Sequence, residues 1–404
     1  MRLLTITPII IGVGRTKFGE HYDRNPEELI EEAGLRALES AGLERKDLDA
    51  VFISDYFLQV TNKIGIEEGF ISELLEVNIP METLRSFSSA LHCACNAIKA
   101  GEFNIVLIGG LEKMTDRLDK IRDDLMMLGD PWSYYAGGTP EAFHELMLRN
   151  YVKEYGIKND DYDRLMKALA FISYKNHEYG SRNPLAHFYG RRISVNDVIK
   201  ARKASKSILG LYDFAPISDG ASAIIIASSK IVNRISDEGI EIIGIGCATD
   251  YISYFARDVK CGFKATRRAA IKAFNEAKIS PQKIELAELY DQSTLMEMIT
   301  LEDLGIYSYG SSWNHIYDNL EKEKIIYNVN GKELYVNTNG GLKADGNPLG
   351  ATGGAQFHEI YLQLLNQAKE RQIEFKDNEP YALTVEIEGF GTKSYVYILR
   401  RWKS

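Results

Sequence analysis

Residues 337–356 carry six glycines, from Gly340 to Gly354, and run into a helical pattern over residues 357–365. Glycines let a backbone take positive φ and approach a ligand closely. A helix starting just behind them presents unpaired N–H groups and the positive end of its dipole. Together these suit an anionic or polarised oxygen. The spacing fits neither a phosphate-cradling loop, since no Gly-Lys-Ser/Thr follows, nor a dinucleotide fingerprint. A second cluster, His92, Cys93 and Cys95, lies in a helical run. There the two thiols point about 200° apart, a poor geometry for a metal. Buried, inert thiols and no metal site are expected.

The elements that must position such a loop alternate between helix and strand. Residues 3–14 read as a buried strand entering a glycine turn, with no basic leader or cleavage site. Residues 26–41 have helical spacing through Leu29, Ile30, Ala33, Leu35, Ala37 and Leu38, Gly42 ends the run, and residues 48–53 read as a strand. Slid by 236 residues without a gap, residues 33–55 fall on 269–291 with matching character: Ala37 on Ala273, Leu38 on Phe274, Ala41 on Ala277, Leu48 on Ile284 and Asp55 on Asp291. Ungapped agreement through helix, turn and strand argues for an internal duplication. A second pair of units, residues 91–110 and 354–391, repeats helix, strand and glycine turn. Buried strands alternating with helices mean a layered α/β fold. Residues 116–214 break the pattern and read as an insertion in the first half; residues 307–334, aromatic and polar, read as a surface excursion.

The 404 residues suffice for two core-bearing units, and 45% hydrophobic with 26% charged residues is ordinary for a soluble globular protein. A net charge of −9 argues against nucleic acid or an anionic membrane as partner. No apolar run reaches the roughly 18 residues that would span a bilayer. Four cysteines are too few for a disulfide framework, so a reducing cytoplasm is expected.

The run Gly340-Gly341-Leu342-Lys343-Ala344-x-Gly346-x-Pro348-Leu349-Gly350-Ala351-Thr352-Gly353 resembles the carboxy-terminal catalytic loop of the thiolase superfamily. The likeness is to its sterol-carrier-type and archaeal acetyl-CoA acetyltransferase branch. Lys175-Asn176-His177, Asn183-Pro184-x-Ala186-x-Phe188 and residues 216–223 are similar to further signatures of the family, so the resemblance covers nearly the whole chain. It implies two duplicated α/β halves stacked as five αβαβα layers with a loop domain. Residues 1–115 and 215–240 would form the first half, 116–214 the loop domain and 241–404 the second half. It also implies coenzyme A as the acyl carrier, with Lys343, Ser222, Gly340 and Gly341 on its side. A homodimer around residues 104–108 and 84–91, and a small zinc-ribbon/OB-fold partner protein, are further implications.

The family's reacting groups are where this chain departs. Counting about seventeen residues back from Gly101 reaches Leu84 at the nucleophile's position, and neither Thr83 nor Arg85 is a thiol. Cys93 lies nine residues further on, roughly 13 Å along a helix. The histidine of the glycine loop is replaced by Asn347, the His-Asp pair after the second-half strand by Tyr290-Asp291, and the region of a second cysteine by Glu386-Ile387-Glu388. Asn347 can hydrogen-bond but cannot carry a proton. The expectation is therefore an acyl-CoA-binding relative of acetyl-CoA acetyltransferases without cysteine-dependent thiolysis. Tyr290 beside Asp291 keeps open an aldolase acting on β-hydroxyacyl-CoA, and a non-catalytic scaffold subunit is the third possibility.

Overall fold

The structure, a computed structural model, describes residues 6–205 and 207–404; the expected first strand's residues 3–5 lie outside them. Eleven strands form one continuous sheet in the order β3-β2-β4-β5-β1-β6-β11-β10-β7-β9-β8. They are β1 Pro8–Arg15, β2 Ala50–Ser54, β3 Met81–Leu84, β4 Ile105–Glu112, β5 Gly220–Ser228, β6 Glu238–Thr249, β7 Ile284–Glu288, β8 Tyr327–Val329, β9 Lys332–Val336, β10 Tyr381–Glu388 and β11 Lys393–Lys403. From the β1–β6 junction outward the two arms are equivalent: β1-β5-β4-β2-β3 and β6-β11-β10-β7-β9. Directions match as well, with β2 parallel to β3 and β4, β7 parallel to β9 and β10, and β4–β5 and β10–β11 antiparallel. The duplication read from the 236-residue offset is thus the plan of the sheet. Among the described residues its arms join through two residue pairs, Ile9–Glu241 and Ile10–Ile240.

Period-two burial shows the layers. On β5, Ile224 and Ile226 enter a central core while Ala223, Ile225 and Ala227 face an outer one. On β11, Tyr395, Tyr397 and Leu399 face the same central core, and Val396 and Ile398 the other outer one. Helices Phe87–Ala100 and Leu349–Leu364 fill the middle, touching through Phe87 and Phe357. Helices Pro26–Ala41 and Lys264–Ala277 cover the outer faces. The first is fixed at its start by Asn25, which accepts the Glu28 N–H while Glu28 accepts that of Asn25, and at its end by Gly42 at φ 67°. A side chain at Gly14 or Gly246 would collide with the backbone of the covering helix, so these glycines let helix and strand meet.

Between β4 and β5 lies the insertion, with helices Pro140–Glu154 and Asp160–Gly180 at its centre. Residues 307–334 are not a surface excursion. Trp313, Ile316 and Leu320 give the helix Ser312–Glu321 an inward stripe against Asp160–Gly180, and Tyr327 is buried with its hydroxyl donating to Glu297 at 2.8 Å. The strand expected at a dimer contact, β4, is interior; the open edge of that arm is β3.

One ion pair ties both arms to the insertion. Arg15, on β1, meets Asp345 at 2.6 Å, with side chains 1% and 2% exposed. Arg15 also donates to the Leu185 carbonyl, while Asn183 and Asn339 donate to Asp345. Replacing Arg15 with Met leaves a buried carboxylate without its cation, which costs roughly 3–5 kcal/mol. Urea unfolding of Arg15→Met is expected to show that loss; a change below about 1 kcal/mol would mean that the pair is not what locks the loop.

Candidate active site

The glycine loop follows β9. Asn337 accepts the Leu289 N–H at 2.7 Å and donates to Glu297, pinning the start of the loop beside the end of β7. Gly340 and Gly341, at φ 115° and 60°, then turn the chain into the short helix Gly341–Asp345. Asp291 accepts the N–H groups of Leu342 (2.7 Å) and Lys343 (3.3 Å) and the amide of Asn176 (2.7 Å). Any side chain at Gly341 would run into that carboxylate. Asp291 therefore supports the loop, and its oxygens are committed there. Burial and the neighbouring Glu297 hold its pKa well above the usual carboxylate range. Asn176 bridges Asp291 to Glu297, and Lys175 pairs with Glu297 at 3.1 Å.

Gly346, at φ 116°, swings the chain back and presents Asn347. The Asn347 N–H donates to Ser218 Oγ at 3.2 Å, and its side-chain oxygen accepts from Thr352 at 2.9 Å. Tyr290, 4% exposed, stands at the end of β7 facing Asn347. Burial raises the phenol's pKa, Glu386, Glu388 and Glu112 add to the rise, and the Asn347 side chain opposes it. Tyr290 and Asn347 thus meet across the site.

At the nucleophile's position Leu84 ends β3 and packs into the central core. Helix Phe87–Ala100 begins three residues later, capped by Ser86. A carboxylate stands at that helix start: Glu386 accepts the Ser88 N–H at 2.7 Å, while Glu388 accepts the Ser86 hydroxyl at 2.7 Å. The converse contact joins the other arm, where Glu112, closing β4, accepts the Gly350 N–H at 3.1 Å beside those of Tyr56 and Phe57. Each central helix is therefore capped by an acid from the opposite half. Of the two cysteines in the first helix, Cys95 is fully buried, its thiol pushed up to about 12 by desolvation, and Cys93 is exposed.

Of the four residues expected on the coenzyme side, Gly340 and Gly341 form the turn into the short helix, and Ser222 and Lys343 are buried. Ser222 is inside β5, its hydroxyl donating to the Ala351 carbonyl at 2.6 Å. Lys343 is 2% exposed and lies over Phe188, its pKa lowered to about 8 by burial, and it does not line the cavity that holds Tyr290. That cavity, ≈ 40 Å³, runs between the insertion and the core past Leu125, Met126, Phe143, His144, Tyr290 and Phe390. A wider cleft of ≈ 580 Å³ lies nearby, lined by Lys17, His21, His187 and Arg191. His187 contacts Ser218 at 2.9 Å, so one hydroxyl links the cleft to Asn347.

Sequence reasoning named Glu386 without a role and passed over His144. Both left a trace: Glu386 and Glu388 alternate on an otherwise apolar strand, and His144 falls on the inward stripe Phe143-Met147-Leu148-Tyr151. Glu386 has consequences for stability. Its pKa is raised to about 7, chiefly by desolvation. The folded state therefore binds a proton that the unfolded chain has released between the ordinary value near 4.3 and about 7. Stability from this group is fully present below that window and is lost as pH rises through it. Glu386→Gln is expected to stabilise the protein at pH 8 by roughly 2 kcal/mol, with the gain gone near pH 4. Urea midpoints across that range check this; a gain that did not change with pH would contradict it.

The comparisons with known proteins agree with this geometry. A family model described as "Thiolase, N-terminal domain" matches residues 8–169, and one described as "Thiolase C-terminal domain-like" matches residues 246–401. The chain is 33% identical over 404 residues to the acetyl-CoA acetyltransferase of Methanocaldococcus jannaschii, covering 96% of this chain and 98% of that one. Among solved structures, an "Ltp2-ChsH2(DUF35) aldolase" superposes with a TM-score of 0.76 at 20% identity, covering 98% of this chain and 97% of that one. Human mitochondrial 3-ketoacyl-CoA thiolase in complex with CoA gives 0.69 at 17% identity, covering 98% of each. The chain belongs to the thiolase family.

Proposed function

We propose that this protein binds acyl-CoA and makes or breaks a carbon–carbon bond in a β-hydroxyacyl thioester, as an aldolase, with Tyr290 as proton carrier and no cysteine acyl-enzyme. The observation that carries the reading is the occupant of the helix start at Phe87. A thiolate there would be activated by the free N–H groups; here Glu386 accepts the Ser88 N–H, and Leu84 points into the core. A second anion at that spot is disfavoured by the first. The cavity between the insertion and the core offers a phenol instead, that of Tyr290.

Retro-aldol cleavage removes the β-hydroxyl proton, breaks Cα–Cβ, and protonates the thioester enolate at Cα. A phenol whose pKa is raised stays protonated at neutral pH and can hydrogen-bond the developing enolate oxygen or give Cα its proton. The Asn347 amide, held by Ser218 and Thr352, is placed to orient the phenol and the thioester carbonyl. The cleft with Lys17 and Arg191 suits the phosphates of coenzyme A, being anionic ligands beside two cations. No helix among the described residues is long and apolar enough to cross a membrane. The named aldolase with a DUF35 component supports a similar small partner here, and the open edge of β3 supports a homodimer.

Tyr290→Phe is expected to slow cleavage of 3-hydroxybutyryl-CoA by at least about 10²-fold while calorimetry gives an unchanged affinity. Wild-type protein that binds the ester but cleaves none of it would instead make this a non-catalytic subunit; no binding of any CoA ester would remove the reading altogether. Sedimentation at micromolar concentration is expected to give twice the 45.6 kDa chain mass; a monomer alone would contradict the dimer.

A further inference from the structure

His144 lies on the helix Pro140–Glu154, inside the insertion and away from the glycine loop in sequence. It is 1% exposed, and among the described residues neither ring nitrogen has a hydrogen-bond partner. Its ring stacks on Phe390 at 4.9 Å and lies 5.4 Å from Phe214. A buried imidazole without partners is costly, and core packing alone would be served better by Phe or Leu. The cost is understandable if a ligand completes the site, because His144 lines the same cavity as Tyr290. Much of the remaining wall, including Leu125, Leu128, Ile252 and Leu349, is apolar and suits an acyl chain, with Asp130 and Gln292 as its polar members.

Burial lowers the ring's pKa to about 4, against a smaller opposing effect from Glu141. The imidazole is therefore neutral near pH 7, with one nitrogen able to accept and the other to donate. Tyr290 has the opposite character, a phenol that keeps its proton. A retro-aldol step needs one group of each kind.

We propose that His144 is a second catalytic residue of this cavity, its free imidazole nitrogen accepting the β-hydroxyl proton of the acyl chain while Tyr290 protonates Cα. The assignment rests on the aldolase reading above and deepens it. The O–H electron pair becomes the second bond of the product carbonyl, and the Cα–Cβ pair moves into the thioester enolate. Tyr290 gives its proton to Cα. The imidazolium then returns its proton to the phenolate, leaving both groups as they began. In the ground state His144 holds the β-hydroxyl, so it also selects acyl chains that carry one.

The test compares binding of 3-hydroxybutyryl-CoA and butyryl-CoA to the full chain by calorimetry. Wild type is expected to favour the hydroxy ester by about 5–10-fold, the range of one buried hydrogen bond. His144→Phe keeps the ring's shape and removes its unpaired nitrogens, so it is expected to fold at least as stably and to bind both esters about equally. Cleavage by that variant should fall by about 10²-fold or more. A preference that persists in His144→Phe, or one absent from wild type, overturns the role of His144 and leaves the aldolase reading standing. If neither ester binds wild type, the thioester reading itself fails and takes this assignment with it. His144→Gln, which keeps an acceptor and cannot hold the proton, should retain part of the preference without the cleavage.

Discussion

A guanidinium and a carboxylate buried from water hold this molecule's loop in place. Arg15 and Asp345 come from strands and loops 330 positions apart, and two asparagines and a backbone carbonyl complete their hydrogen bonds. Desolvating both charges is expensive, and only close geometry with satisfied neighbours offsets it. Phe18 lies against the guanidinium at 3.9 Å and closes the remaining side. The consequence for the loop is direct. Asp345 precedes Gly346, so wherever Arg15 fixes the carboxylate, the turn that presents Asn347 is fixed as well. The strand that begins the chain thereby controls a residue near its end.

Around this pair the interior is unusually rich in acids that accept backbone N–H groups. Asp291 caps the short helix of the loop, Glu112 the helix behind it, Glu386 the helix from the other half, and Asp219 the turn at Met114 and Thr115. Three of these groups, Glu112, Glu386 and Glu388, act on Tyr290 and keep its phenol protonated. Structural support and chemistry are therefore not separate here. The same carboxylates that orient the backbone set what the tyrosine can do.

Much of the frame was legible because it is local or repeated. The helical spacing of residues 26–41, the glycine stop at Gly42 and the 236-residue echo are short-range or repeated signals, and each corresponds to an observed element. The glycine loop that carries Asn347 was legible in the same way. What escaped depends on contacts between distant positions. Glu386 reaches Ser88 across 298 residues, and nothing local to either residue announces the other. The bond from Ser222 on β5 to the Ala351 carbonyl spans 129 residues and has no local signal. The burial of Lys343 has none either, since its helix is five residues long and is held by Asp291, 52 positions away. The helix Ser312–Glu321 was hidden by polar and aromatic neighbours that masked its spacing.

The crossed caps have a consequence for how the chain reaches this state. Helix Phe87–Ala100 takes its acid from β10, and helix Leu349–Leu364 takes its acid from β4. Without the second half the Ser88 N–H loses its acceptor, and without the first half the Gly350 N–H loses its own. What each half supplies for itself, the Ser86 cap and the hold of Glu112 on Tyr56 and Phe57, is only part of the closure. The two copies close each other like two hands gripping wrists, so the centre of the molecule is finished only when both are in place.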